Sequence, residues 1–471
     1  MCKRILAGFL VLAMLILPVQ AASADEAEKA IIEACRYDQA TDLSAYGLSV
    51  QELTEIFTRL TEEGKLPWYT LTNFSYSYNE LTEKIVEFTP QSMDPKEYDR
   101  ALYAQRLAEV MDACIFEGMT PEQIALSVHD YLILNCIYDE SLKKNTGYDL
   151  LVNGSTVCAG YTALYMDILN RVGIPCVSVS SEPMEHTWNL VQLDGKWYHV
   201  DVTWDDPSPD RYGFVSHEYF LVTDKEISQG EKPHADWVTD ITCTDERFSE
   251  AWWRSVKTPV IFESADVCYY QRSAELSNSL CRRKDNSEKV LYKEEGTWID
   301  IGEGTYSYEH QGLALREGRL WFNTHDAICS VNTDGGDLRT EYRHTDAKTY
   351  IYSFSLSPDT AYITTGGHTD IAGSATAPIP KAETHTHSYV LAETLPTCKE
   401  GGSTSGSCEC GLSWQAPPTP PLAHAYQEKE GKAATFLRSG YSLKVCDLCG
   451  DSRREELPRM GFFQWLFSLI F

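Results

Sequence analysis

Apolar residues along this chain recur at two periods, and the switches between them mark its elements. From Asp25 to about Lys65 the spacing is helical, with Ala27, Ile31, Ile32 and Cys35 on one face and Leu53, Ile56, Phe57 and Leu60 on another. Between Trp68 and Phe88 the period falls to two in a run rich in aromatic and β-branched residues. Asn79-Glu80 near its middle marks a turn, which predicts a hairpin. Helical spacing returns from Pro95 to about Glu117. Thr120, Pro121 and Gln123 then form an N-cap signature with proline at the first helical position. The helix it opens carries Ile124, Val128, Tyr131, Leu132 and Ile137 and is expected to pack beside the next one; His129 and Asp130 on it read as hydrogen-bonded packing residues.

The stretch from Gly154 to Pro207 organises the rest. Cys158 begins a helical pattern in which Tyr161, Leu164, Tyr165, Ile168 and Leu169 share one face. Gly173 closes that pattern, and Pro175 prevents its resumption. Three strands are predicted next, Cys176 to Ser180, Thr187 to Leu193 and Trp197 to Val202, the last two joined by the turn pair Asp194-Gly195. His186 stands just before the first strand of that hairpin and Asp201 near the end of its second. A cysteine at a helix N-terminus faces unpaired N–H groups and the positive end of the dipole. Both favour thiolate, and the same N–H groups suit an oxyanion. With a histidine and an aspartate brought together across the hairpin, Cys158, His186 and Asp201 are the residue types a thiol nucleophile, its base and the base's orienter require.

Beyond Asp245 the character shifts to short aromatic strands and polar turns, including VCYYQ, KVLYK, GRLWFN and AICSVN. Two stretches look like a repeat of about fifty residues, so residues 255–366 are expected to form an open β-sheet domain with a binding or spacing role. Residues 367–384, rich in Gly, Ala, Thr and Pro, read as a linker. Residues 385–459 repeat at about 38 residues, aligning His387 with His424, Cys398 with Phe436, Cys408 with Cys446, and Cys410 with Cys449. One histidine and three cysteines in the first unit, His387, Cys398, Cys408 and Cys410, make a tetrahedral zinc set. Cys446 and Cys449 of the second have knuckle spacing beside His424, but that unit lacks one cysteine, and disulfides remain the alternative.

Of 15 cysteines, nine are scattered singly between Cys35 and Cys329, as buried small hydrophobes are, and five crowd between Cys398 and Cys449. A net charge of −29 argues against nucleic acid as a partner. Lys3 and Arg4, the apolar run from Ile5 to Val19 and Ala22-Ser23-Ala24 read as a signal peptide over residues 1–24, which places the protein outside the cell. The apolar end at 460–471, GFFQWLFSLIF, is too short to span a bilayer and suits a peripheral membrane or cell-wall contact. No calcium-hand spacing occurs, so catalysis is expected to need no cofactor.

The strings VCAGYTALYMDILNRVGIPC and EHTWNLVQLDGKWYHVDVTWDDP resemble the transglutaminase-like superfamily, with a likeness running over roughly residues 120 to 225. The resemblance implies a papain-like core at 119–245 with Cys158 as nucleophile, His186 as base and acid, and Asp201 orienting it. Trp188, Asn189 and Trp204 match supporting positions, and Tyr161 is expected to line the cleft. The β-rich stretch resembles propeller-blade units, and the tail resembles Cys/His repeats of bacterial surface proteins. The whole then reads as a secreted α+β protein: a helical and hairpin region at 25–118, the core, a β-rich domain and a small Cys/His tail. Its expected reaction is thiol acyl transfer on a Gln or peptide amide of a protein or cell-wall peptide, ending in cross-linking, deamidation or hydrolysis. The other reading is a non-catalytic surface protein that uses the core to bind peptide.

Overall fold

Helix α1 (Ala24–Tyr37) and helix α2 (Val50–Glu62) stand where one long helical stretch is expected, with the two-residue strand β1 (Thr41–Asp42) between them. The break is local chemistry: Gly47 adopts φ 63°, and Ser49 caps α2 in a reciprocal box with Glu52. Strands β2 (Thr70–Asn79) and β3 (Lys84–Ser92) form the hairpin, and Ile85 and Phe88 of β3 pack on both helices. The computed structural model describes residues 24–459, apart from short stretches at 230–231, 275–276, 286, 296–297, 301–304, 308–309, 347–348, 368–372, 383–384, 423 and 436. All but the last residue of the expected leader at 1–24, the apolar end at 460–471, and Phe436 lie outside the described residues.

The central core begins with α3 (Arg100–Cys114) and α4 (Pro121–Leu134), whose Thr120 cap box with Gln123 forms as the sequence predicts. Strand β4 (Ile137–Tyr138) pairs in parallel with β5 (Ser155–Thr156), with α5 (Gly147–Asn153) between them. β5 leads directly into α6 (Cys158–Arg171). Tyr161, Leu164, Tyr165, Ile168 and Leu169 all turn inward, and the Tyr165 hydroxyl donates to the Ala125 carbonyl of α4 at 3.0 Å. Burying each of these side chains contributes about 1.5–3 kcal/mol. The antiparallel sheet beside α6 runs in the order β6 (Cys176–Ser181), β7 (His186–Leu193), β8 (Lys196–Val200) and β9 (Phe220–Val222). Leu193 pairs with Lys196, so Asp194 and Gly195 make a two-residue turn, both at positive φ. Asp201 lies one residue beyond β8 as the N-cap of the short helix α7 (Val202–Asp205), and not in the strand. Helix α8 (Asp224–Ile227) closes this region.

From Ile261 the chain builds antiparallel meanders. Four strands span Ile261–Glu295 and another four span Leu313–Arg343, separated by a two-stranded ribbon. A three-stranded sheet follows, Tyr350–Leu356, Thr360–Gly366 and Gly373–Pro378. The sheets stack face to face: Tyr269 and Leu280 meet Leu320 and Phe322, and Trp321 and Ile328 meet Phe354 and Ile363. The third strand of the last sheet corrects the expected linker at 367–384. Residues 373–378 carry small side chains that pair in register with Thr360–Thr365, so the composition that reads as a spacer serves an edge strand. Two three-stranded units complete the described chain, Tyr389–Gln415 and Tyr426–Leu457.

Candidate active site

Three elements converge on Cys158. α6 places it in its first turn, where Val157 offers no side-chain cap to the N–H groups. The thiol is half-buried. Burial alone would raise its pKa; the His186 hydrogen bond and charge, with the backbone of Thr187 and Ala159, outweigh this and bring the thiol below its usual range. His186 opens β7 and meets Asp201 Oδ2 through Nε2 at 2.6 Å. Nδ1 is therefore the ring nitrogen left for the thiol. Burial disfavours the imidazolium, but the Asp201 charge and hydrogen bond together with Cys158 raise it to about 9. Asp201 is buried, and its Oδ1 accepts from the N–H groups of Thr203 and Trp204 at 3.0 and 3.2 Å. Burial opposes its charge, yet His186 and His234 hold it down at about 2. The imidazole and the carboxylate thus hold each other in a fixed orientation.

The supporting aromatic residues clamp the base. The His186 ring lies between Trp188, with centroids 5.6 Å apart and planes at 19°, and Trp204, at 5.1 Å and 23°. Trp188 is in turn fixed by its indole N–H, which donates to His199 Nδ1 at 2.9 Å, while His199 Nε2 meets Asp224 at 2.8 Å. Asn189 donates to the Thr162 carbonyl at 3.1 Å, tying β7 to the second turn of α6.

Tyr161 does not line a cleft. It is 1% exposed, and its hydroxyl donates to the buried Asp206 carboxylate at 2.5 Å. The reason is helical phase: three residues past Cys158, position 161 falls on the stripe shared with Leu164 and Tyr165. The tyrosine beside the thiol is Tyr138 of β4, close enough for a Cys158 thiolate to help raise its phenol. β4 pairs with β5, so Tyr138 stands opposite Thr156, two residues before the nucleophile.

One partner of Asp201 escapes the sequence pattern. His234 Nε2 shares Asp201 Oδ2 with His186, at 2.8 Å. It is buried among Trp188, Trp204 and Tyr219, with centroids 4.7, 4.1 and 5.3 Å away. It comes from a polar loop after α8, where neither period operates, so only the fold reveals it.

His129 makes the structural contacts the sequence suggests, at 2.8 Å to Asp130 and 3.2 Å to Asp205. In the tail the expected seven ligand residues converge, but in a different grouping. His385 joins His387, Cys408 and Cys410, while Cys398 leaves the first unit and joins His424, Cys446 and Cys449. Next to Cys398, the Leu422 N–H donates to the Thr397 carbonyl at 2.8 Å, which ties the first unit's loop to the segment just before His424.

Comparison with known proteins agrees with this geometry. Residues 110–202 match the transglutaminase-like superfamily, a stretch that contains all three candidate catalytic residues. Kyphoscoliosis peptidase of Mus musculus is 29% identical over 93 residues, covering 16% of this chain and 14% of that protein, and that of Homo sapiens is 28% identical over 93 residues. The chain therefore spans only a small part of the length of these relatives. Among solved structures, a candidate cysteine protease from Cytophaga hutchinsonii matches at 11% identity over 28% of this chain and 61% of its own, with a TM-score of 0.18. A TGase structure matches at 13% identity over 43% and 60%, with a TM-score of 0.20. At those scores the superpositions carry no argument.

Proposed function

We propose that this chain, whose core is transglutaminase-like, is a thiol acyl-transfer enzyme acting outside the cell on a Gln or peptide amide of a protein or cell-wall peptide. The observation that carries this reading is the depressed thiol of Cys158 beside a His186 raised to about 9 and bound to Asp201 at 2.6 Å. Together they favour a thiolate–imidazolium pair over a neutral thiol and imidazole.

In the reaction, Cys158 Sγ attacks the amide carbonyl carbon, and the C=O electron pair moves to oxygen. The uncapped N–H groups at the start of α6 suit that oxyanion. His186 then gives its Nδ1 proton to the departing nitrogen as the C–N bond breaks, leaving a thioester and a neutral imidazole. Water or an amine, deprotonated by His186, attacks the thioester and returns the thiolate and imidazolium. Water gives deamidation or peptide hydrolysis, and an amine gives a cross-link. Asp201 keeps the ring's proton-bearing Nε2 turned inward, and Trp188 and Trp204 hold its plane.

The test is intact mass spectrometry of the full chain beside Cys158→Ala, after incubation with a Gln-containing peptide library and a primary amine. A Cys158-dependent amine adduct, a one-dalton shift or a cleaved peptide supports the reading and identifies the acceptor. Identical spectra for both proteins would exclude it.

A further inference from the structure

The tail has too little apolar interior to hold itself together. Among the described residues of 385–459, the buried apolar positions are Cys398, Cys408, Trp414, Ala416, Ala434 and Cys446. Three of these six are cysteines, and the strands Tyr389–Thr394 and Tyr426–Lys432 are almost wholly exposed. Units this small require a staple.

The two units bring cysteine and histidine together in the same way. Tyr389 pairs with Cys408 and Tyr426 with Cys446, which sets His387 and His424, each two residues before its tyrosine, beside the cysteine end of the neighbouring strand. Each histidine ring stacks on that tyrosine, with centroids 5.7 and 5.1 Å apart. After the last cysteine of each unit comes a glycine at positive φ, Gly411 at 100° and Gly450 at 74°, whose N–H donates at 2.9 Å to the carbonyl of Cys408 and of Cys446, respectively. This turn folds both cysteines of the unit toward one point.

The distances discriminate between a metal and a disulfide. The Cys398 and Cys446 sulfurs are 3.9 Å apart, whereas a disulfide needs about 2.05 Å. Sulfur to histidine nitrogen is 3.4 Å for Cys408–His385, 3.4 Å for Cys410–His387 and 3.2 Å for Cys449–His424. Around a tetrahedral zinc, bond lengths of about 2.3 Å to sulfur and about 2.0 Å to nitrogen give ligand–ligand edges of about 3.8 Å for S···S and about 3.5 Å for S···N. In each set all four ligand atoms lie within 4.8 Å of one another. Among the described residues the three other clusters of such side chains are three-membered, and their histidines are engaged in hydrogen bonds to their own carboxylates.

We infer that the tail binds two structural zinc ions, one held by His385, His387, Cys408 and Cys410 and the other by Cys398, His424, Cys446 and Cys449. Cys398 crosses from the first unit to complete the second site, so that ion joins the two units into one body. Binding releases one proton from each ligating thiol. The first site with two thiolates is then neutral overall and the second, with three, carries one negative charge.

The test is native mass spectrometry and metal analysis of the full chain purified from zinc-supplemented medium. Two zinc ions per chain are expected, one in Cys398→Ser and one in His385→Ala. Metal-free protein, or a chain two daltons lighter per bond with a Cys398-linked peptide, would overturn the inference. Retention of two ions by Cys398→Ser would overturn the crossing. Cobalt exchanged into the unsubstituted chain gives an independent readout that needs no variant. Thiolate-to-cobalt absorption is expected to fill in two unequal steps, the three-thiolate site stronger than the two-thiolate site, and a single type of step would count against the two-site assignment.

Discussion

Two imidazoles share one carboxylate oxygen at Asp201, and that sharing sets the electrostatics of the site. A donor on Oδ2 from His234 draws charge away from the contact with His186, so removing it strengthens the remaining pair. His234→Phe keeps a ring against Trp188 and Trp204 and deletes the donor. The alkaline limb of the Cys158-dependent rate is expected to move to higher pH; a limb that stays put would reduce His234 to packing. In the unsubstituted protein the thiolate–imidazolium pair exists between the lowered pKa of Cys158 and the His186 value of about 9. Iodoacetamide labelling should therefore plateau below the ordinary thiol range of about 8.5 and change again as His186 loses its proton. A single titration near the ordinary thiol value would remove the pair. The same groups act on stability with opposite signs. His186 is raised, so its contribution is complete below about 6.5 and is lost as pH rises through about 9. Asp201 is lowered, so its contribution is complete above about 3.9 and is lost as pH falls through about 2. Tyr161 belongs to this scale as a structural residue: Tyr161→Phe strands the buried Asp206 and should cost about 1–3 kcal/mol of stability while leaving KM unchanged. A raised KM at full stability would return Tyr161 to the cleft.

The element that positions the nucleophile is the first turn of α6, and it contains a glycine that helix propensity disfavours. A Cβ on Gly160 would stand 2.0 Å from Thr156 Oγ1 and 2.6 Å from the Thr146 carbonyl, so the helix start lies directly on the β5 turn. In an open helix Gly→Ala gains up to about 1 kcal/mol. Here Gly160→Ala is expected to lose about 1–3 kcal/mol by overpacking and to slow Cys158 labelling, because relief of the clash moves the turn that carries the thiol. Differential scanning calorimetry with the labelling rate checks both; a stabilised variant labelling at the normal rate would refute the close packing. This contact also shows where sequence reading ends. The helical stripe of α6, the Thr120 cap and the Asp194-Gly195 turn are encoded within a few residues, so they are legible, and with them the places of Cys158 and His186, whereas Asp201 reads as part of a strand and instead caps α7. The burial of Tyr161 was legible in the same stripe, but the family likeness drew it toward the cleft. His234, Cys398 and the edge strand at 373–378 depend on partners far along the chain. Their neighbourhoods are polar or small-residue loops without a period, and nothing local announces the partner.

At the scale of the molecule, the core and the stacked sheets are joined by buried charge. Asp130 Oδ1 accepts from His129 at 2.8 Å and from His217 at 3.0 Å, and Oδ2 accepts from the N–H of Val260 at 2.7 Å, just before the first sheet begins. His217 Nδ1 donates to the Val256 carbonyl at 2.8 Å, and His129 reaches Asp205 of α7, so one network spans α4, the helix capped by Asp201 and the entry to the sheets. Gln123 adds a bond to the Ala265 carbonyl at 2.7 Å, and at the far end Tyr389 of the tail bonds Glu109 of α3 at 3.1 Å. Breaking one member of a buried ionic network costs about 3–5 kcal/mol, because the remaining partners stay buried and unpaired. Asp130→Asn puts an amide donor against one of three donors and is expected to split thermal unfolding, with the core melting apart from the first sheet. Raising the pH should loosen the same junction without a mutation. Burial opposes a charge on His129, but Asp130 and Asp205 raise it to about 9, so its contribution to the network is lost as pH rises through that value. The packing of core side chains on Phe262 and Tyr270 remains in both cases, so a junction held by apolar contact alone would melt as one unit both in Asp130→Asn and above pH 9. That result would assign the coupling of the transglutaminase-like core and the sheets to packing, and the charged network to the placement of α7 and its cap Asp201.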